Sequence, residues 1–311
     1  MTNVPDTAAL AASPATMARA TAIGIIAIAC WSALALLTRR AAPLPPFELL
    51  SLSFGVAFVA NGAVVLRRGP AGLRSWRQPV AAWVFAFAGI FAYHALYFTA
   101  LSLAPAAQAS LIAYLWPLLI VLLSAGAAGR GFAPRHLVGA ALGFAGTVFV
   151  VLGPGGAAPL PSAQPGAWAG YAAAAGCALV WSVYSVANRR FRALPSGMIG
   201  GVCGLVALAG GAVHLALEPT LTPSPAQWAA VVLLGLGPVG VAFLAWDHAT
   251  KHGHMALLGA LSYLTPLAST LLLIAAGITP MRWGILAAAV LIVLGAAIAA
   301  RRPKRPSPTS G

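Results

Sequence analysis

The chain is 311 residues long, 60% hydrophobic and only 7% charged, with 18 Lys and Arg against 4 Asp and Glu. An average soluble domain carries about 25% charged residues, so the composition rules against a soluble enzyme. The basic residues are sparse and parted by long apolar runs, which rules against a nucleic-acid-binding domain despite the net charge of +14. Each membrane span needs roughly 20 residues; the length therefore holds about ten spans and no large soluble domain.

Residues 1–16 lack the basic segment of a secretory signal and are expected to form a disordered cytoplasmic tail. Apolar runs between charge, Pro and Gly punctuation then predict spans at 17–38, 47–66, 80–103, 106–127 and 135–152. Residues 153–167 read as a periplasmic linker. Further spans are predicted at 168–188, 197–217, 227–250, 254–277 and 282–300, followed by a basic cytoplasmic tail over 301–311. The expectation is an all-α membrane protein with ten transmembrane helices. Cys30, Cys177 and Cys203 all lie inside apolar runs and read as small packing residues.

The chain repeats itself. Cys30-Trp31-Ser32 through Thr38-Arg39-Arg40 resembles Val180-Trp181-Ser182 through Asn188-Arg189-Arg190. Gly62-Ala63-Val64 returns as Gly211-Ala212-Val213, and Tyr114-Leu115-Trp116-Pro117-Leu118 as Tyr263-Leu264-Thr265-Pro266-Leu267. The offset is 149 or 150 throughout, so residues 17–152 and 168–300 are two copies of one unit. Five spans per copy is an odd number, so the second copy enters the membrane from the opposite side. The loop charges agree. Arg19, Arg67, Arg68, Arg74, Arg77, Arg130, Arg135, Arg189, Arg190, Arg192, Lys251, Arg301, Arg302, Lys304 and Arg305 fall on one side, and only Arg39, Arg40 and Arg282 on the other. The positive-inside rule places both termini in the cytoplasm. The pair Arg39–Arg40 after the first span votes the other way, against the total.

Polar and aromatic side chains within spans tend to face a cavity or another helix. Span 80–103 carries Tyr93, His94 and Tyr97, the two tyrosines four apart on one face. They line a cavity or belong to an interfacial aromatic belt; their place in the second half of a long span, short of its end, favours the cavity. His94 is either a neutral core histidine or a ligand contact and proton-responsive group, since its unperturbed pKa is about 6.5. In span six, Trp181, Tyr184 and Asn188 form one stripe at i, i+3 and i+7, and span one repeats the Trp-Ser pair as Trp31 and Ser32. An inverted repeat turns these equivalents toward one another, which suits a ligand site between the halves, with packing as the competing reading.

Pro117 and Pro266 interrupt apolar helices at equivalent positions and are candidate hinges. Tyr114 and Tyr263 precede them by one turn. With Trp116 and Trp246 they complete the aromatic candidates, and Gln108 is a polar candidate for holding a carboxylate or amino group. Glu48 stands at the start of the second span and Asp247 is the one acid deeper within a span; Lys251, four residues on, offers an ion pair, and ligand or proton binding is the alternative. So few acids give proton coupling little support and make facilitated export the simpler expectation. The Gly139–Gly143 and Gly200–Gly204 spacings read as tight helix packing.

Ten helices in two inverted halves, with a Pro in the fourth helix of each, resemble the drug/metabolite transporter superfamily and its EamA-type exporters. The resemblance covers residues 18–300. It is strongest over Ala100–Pro117, its copy Ala249–Pro266, and Gly139–Gly146. The aromatic residues make the chain most similar to the bacterial aromatic amino acid exporters. The resemblance implies an inner-membrane carrier with a central cavity and alternating access. Its small-molecule substrate is then an aromatic or other neutral amino acid, with lipophilic or quaternary cations and other metabolites as alternatives. An intramembrane enzyme would want a cluster of acid, base and nucleophile, and a channel charged rings or a filter; neither is evident. Membrane lipids are the expected partners, a monomer the simplest assembly, and no cofactor, metal or nucleic acid is expected.

Overall fold

A computed structural model describes residues 13–127, 134–152, 167–278, 280–281 and 283–300. Most of the expected N-terminal tail, residues 153–166 of the linker and the basic tail lie outside the described residues. Within them, every regular element is helical.

The described residues run back and forth between two ends in ten helical passages. The first is α1 (Pro14–Ser32) continued by α2 (Leu34–Ala41) across a break at Ala33. It begins three residues earlier than expected because Ser13 caps it, accepting the Thr16 N–H at 3.2 Å, with Pro14 opening the first turn. α3 (Pro46–Arg67) returns, and a short helix α4 (Gly69–Arg74) forms in the connection, where the sequence predicts only a loop. α5 (Val80–Leu103) is followed by α6 (Ala106–Ala113) and α7 (Trp116–Ala127) as one broken passage, and then by α8 (Pro134–Leu152).

The second half repeats the plan. α9 (Ala167–Ala187) ends in a 3-10 turn, Asn188–Phe191, and α10 (Met198–Leu217) follows. α11 (Pro225–Leu234) passes through a π-helical segment, Gly235–Val241, into α12 (Ala242–His252). α13 (Met255–Leu261), α14 (Leu264–Ala275) and α15 (Trp283–Ala300) complete it. Eight passages are long and apolar enough to cross a membrane; α8 and α15 are the other two and pack on each other.

Turns 68–79, 192–197 and 253–254 share one end of the bundle. It holds Arg67, Arg68, Arg74, Arg77, Arg189, Arg190, Arg192 and Lys251, and is called here the basic end. Turns 42–45, 104–105 and 218–224 share the far end. The repeats meet with opposite sense. α3 and its equivalent α10 are antiparallel, with Ser51 Oγ donating to Ala207 O at 2.9 Å near one end and Asn61 against Gly200 near the other.

Backbone chemistry explains the breaks. Pro117 has no N–H for Ala113 O, and Pro266 none for Ser262 O, so each helix unwinds in the turn just before its proline, at Tyr114–Leu115 and Ser262–Tyr263. In the wide turn of the π segment, Pro238 O accepts the Trp31 indole N–H at 3.0 Å.

Without water to expel between helices, close approach must come from small residues. A Cβ on Gly139 would lie 2.5 Å from Gly295 O, and one on Gly146 2.6 Å from Ile292, so glycine brings α8 against α15. Gly200 and Gly204 do the same for α10 against Asn61 and Phe58 of α3. The largest buried cluster lies between the repeats and includes Phe54, Ile90, Trp116, Trp181, Phe243 and Trp246.

Candidate functional site

Four tryptophans meet at the centre of the bundle, two from each repeat. Trp31 of α1 lies 5.1 Å from Trp246 of α12, 5.7 Å from Trp181 of α9 and 6.4 Å from Trp116 of α7, measured between ring centroids. Trp181 and Trp246 stack at 6.3 Å with 18° between planes, and Trp116 meets both edge-on. Edge and offset contacts of this kind are the preferred aromatic geometries. Phe243 and Phe54 close the cluster, Phe243 lying 6.0 Å from Trp31 and 5.6 Å from Phe54.

Polar groups at the rim fix the rings. Trp246 donates its indole N–H to Ser185 Oγ at 3.1 Å. Ser182 donates to Trp116 O at 3.0 Å, bridging α9 to the start of α7 beside Pro117. Ser32 instead bonds within its own helix, to Ile28 O at 2.9 Å.

On the far-end side the cluster gives way to half-buried rings. Tyr93 packs 5.2 Å from Trp181 and lies parallel to Tyr97 at 6.1 Å, 5° between planes. The Tyr97 hydroxyl pairs with Ser110 Oγ at 3.1 Å, and Tyr114 stands beside both tyrosines. His94 contacts Phe54, Tyr93 and Phe243. Its Nδ1 lies 2.7 Å from Ile90 O. A carbonyl only accepts, so Nδ1 carries the proton and Nε2 is left as the acceptor. Rings with hydroxyl and imidazole groups at their edge can receive a flat ligand and hydrogen-bond its polar end.

On the basic-end side the cluster rests on an ionic layer. Lys251 Nζ lies 2.8 Å from Asp247 Oδ2, their side chains 0% and 1% exposed. Asn188 donates to Asp247 Oδ1 and to Thr250 Oγ1, both at 2.9 Å, and Lys251 donates to Leu194 O at 3.2 Å. Arg189 donates to Gly253 O at 2.8 Å, and the His254 N–H to Thr21 Oγ1 at 2.9 Å. The layer thus ties α1, α9 and the α12–α13 turn together.

Most of the residues singled out from sequence converge here: Trp31, Tyr93, His94, Tyr97, Tyr114, Trp116, Trp181, Tyr184 and Trp246, with Asn188 in the layer beneath. Gln108 sits apart near the far end, accepting from the Tyr171 hydroxyl. Tyr263 is fully buried in a separate cluster with Val121, Ala140, Leu267 and Ile292, its ring filling the space left by Gly143. Phe54, Phe98 and Phe243 belong to the site but carry no signal in sequence that separates them from lipid-facing phenylalanines. Pro238 and the glycines around it do give a signal, an unpaired Pro inside a predicted span.

Residues 19–152 and 168–301 each match the EamA-like transporter family. The chain belongs to that family. A relative from Ancylobacter novellus, the aromatic amino acid exporter YddG, is 47% identical over 288 residues, 92% of this chain and 98% of its own. A solved crystal structure, 46% identical, superposes with a TM-score of 0.84 over 91% of this chain and 97% of the other. This EamA-family chain is therefore a membrane transporter and not an enzyme.

Proposed function

We propose that this transporter exports aromatic amino acids across a bacterial inner membrane by alternating access, with ten crossings and both termini in the cytoplasm. The observation that carries the reading is the tryptophan cluster drawn equally from the two repeats and opening onto Tyr93, His94 and Tyr97. The 47% identical relative named as an aromatic amino acid exporter supports the substrate class.

The substrate ring stacks among Trp31, Trp116, Trp181 and Tyr93, where flat faces meet at about 4.5–7 Å. Its charged end turns toward His94 Nε2 and the Tyr97–Ser110 pair, the half-buried polar edge. The basic end faces the cytoplasm by its charge. The ionic layer on Asp247 and Lys251 then closes the inner side, and the backbone breaks before Pro117 and Pro266 let the two halves rock about the cluster.

Counterflow into liposomes with labelled Phe or Trp tests the reading. Saturable flux that unlabelled aromatic amino acids compete for is expected, and its absence refutes the substrate assignment. Ala at Trp181 or Tyr97 should weaken that flux roughly tenfold, the equivalent of one lost aromatic contact of about 1.5 kcal/mol. Unchanged flux in both variants rejects the cluster as the site. A C-terminal reporter active only outside the cytoplasm should be silent; activity overturns the orientation.

A further inference from the structure

We propose that the start of α8 and the α12–α13 turn form an oxyanion-binding site at the basic end, and that the carboxylate of the amino acid to be exported occupies it. The site stands on the geometry below; the choice of occupant rests on the export reading above.

The site lies between the repeats. The first copy brings α8, with Arg135 and His136 in its opening turn. The second brings the turn Gly253–His254, whose His254 N–H is tied to Thr21 Oγ1 of α1 at 2.9 Å. The His136 and His254 rings meet at 4.9 Å between centroids, 55° between planes. Arg189, also of the second copy, donates to Gly253 O at 2.8 Å, which sets its guanidinium one residue from His254. Two arginines and two histidines therefore gather without an acid. Among the described residues the ion pairs lie elsewhere, at His214–Glu218 and Asp247–Lys251.

These groups are set to donate. His254 Nδ1 lies 3.2 Å from the Leu257 backbone nitrogen. A backbone N–H only donates, so Nδ1 accepts and the ring proton sits on Nε2. Burial, and then the charges of Arg135 and Arg189, hold the His254 imidazole below its ordinary pKa, so it keeps this neutral form at pH 7. Thr21 and Leu257 engage its other polar groups, and no described residue accepts from Nε2. Arg135 Nε is buried with no hydrogen-bond partner among the described residues. His136 is only 6% exposed, and no described residue hydrogen-bonds its ring. A buried donor left unpaired is costly, so these groups call for an acceptor. The 19-residue α8 adds the free N–H groups and positive dipole end of its first turn.

Converging donors with excess positive charge select an anion. The two coplanar oxygens of a carboxylate match the fork of a guanidinium. Position favours the exported amino acid as its source. Lys251, two residues before Gly253, holds the ionic layer beneath the tryptophan cluster. An amino acid arriving from the basic end meets the oxyanion site first and that layer next. Both copies supply donors, so a carboxylate held here also holds the repeats together at this end.

The test is equilibrium binding of labelled 3-phenylpropionate, a carboxylate without an ammonium group, to the whole protein in phosphatidylcholine nanodiscs, with empty nanodiscs subtracted. Saturable binding is expected, displaced by phenylalanine and not by phenylethylamine. Arg135→Gln should weaken it about tenfold, and Arg135→Lys less. His254→Asn keeps a side-chain oxygen to cap α13 but loses the Nε2 donor, and should also weaken it about tenfold. Trp181→Ala, which lowers flux through the central cluster, should leave this binding as it is. Unchanged binding in both the Gln and the Asn variants overturns the site, as does loss of binding in Trp181→Ala alone. Displacement by phosphatidylglycerol or inorganic phosphate at constant ionic strength, but not by phenylalanine, assigns the site to phosphate and overturns the carboxylate. Phenylalanine flux without probe binding overturns the proposal and leaves the export reading standing. Probe binding without flux leaves the site standing and overturns the export reading.

Discussion

Asp247→Asn should destabilise the protein strongly. The substitution keeps the shape and the oxygen that accepts from Asn188 at 2.9 Å, but leaves the Lys251 ammonium, fully buried, with Leu194 O as its remaining partner. Breaking a buried ion pair from one side costs about 3–5 kcal/mol, because the other charge stays out of water without compensation. For a chain of this size that is a fall on the order of 10 °C in midpoint. Removing both charges, with Asp247→Leu and Lys251→Met together, should recover most of the loss, since no charge then remains to be neutralised. Thermal unfolding in mild detergent, followed by tryptophan fluorescence, measures both variants. The reasoning fails if Asp247→Asn unfolds with the wild type, or if the double variant is the less stable of the two.

Three further outcomes follow from single contacts. Trp31→Phe keeps a ring in the cluster but loses the bond to Pro238 O; stability should fall by about 1 kcal/mol, and amide exchange should quicken in Gly235–Val241. Glu218→Ala removes the acceptor for the Phe47 and Glu48 N–H groups, each at 3.1 Å, so the start of α3 should fray in hydrogen exchange at a cost of about 1–2 kcal/mol. Gly139→Ala sets a methyl 2.5 Å from Gly295 O and should cost about 1–3 kcal/mol in the same unfolding assay, whereas Gly126→Ala, with nothing within 4 Å, should be near neutral.

The sequence showed what repeats or what is rare. Trp31 and Trp181 stand out because a tryptophan followed by serine recurs at a fixed offset, and their meeting at 5.7 Å is what inversion requires. Pro117 and Pro266 mark their helix breaks because a missing N–H acts locally, whatever surrounds it. Asp247 and Lys251 pair as a four-residue spacing allows. Their third partner, Asn188, comes from another helix, and no local rule supplies it. Phe54 and Phe243 were hidden for a related reason: in a lipid-soluble helix an apolar ring is equally at home on either face, so periodicity does not separate core from surface. α4 escaped because Gly69–Arg74 is too short and too basic to look like a span.

The duplication also explains why the two ends of the molecule are not alike. An offset of 149 pairs His94 with Phe243, Tyr97 with Trp246, Phe98 with Asp247 and Ser102 with Lys251. The first copy therefore supplies the polar, half-buried edge of the cluster, and the second its sealed apolar wall. Inversion carries equivalent positions to opposite ends. Where the second copy places Asp247 and Lys251 against Asn188 at the basic end, the first places Phe98 against Phe47 near the far end, rings 5.3 Å apart. The copies thus differ at these equivalent positions: a buried ion pair with its hydrogen bonds in the second, an apolar ring contact in the first. Parting two phenylalanines into lipid or a substrate ring exposes no charge, whereas parting Asp247 from Lys251 inside the bundle leaves two ions to be hydrated or repaired. Under the proposed alternating access, opening at the basic end is therefore expected to cost more than opening at the far end.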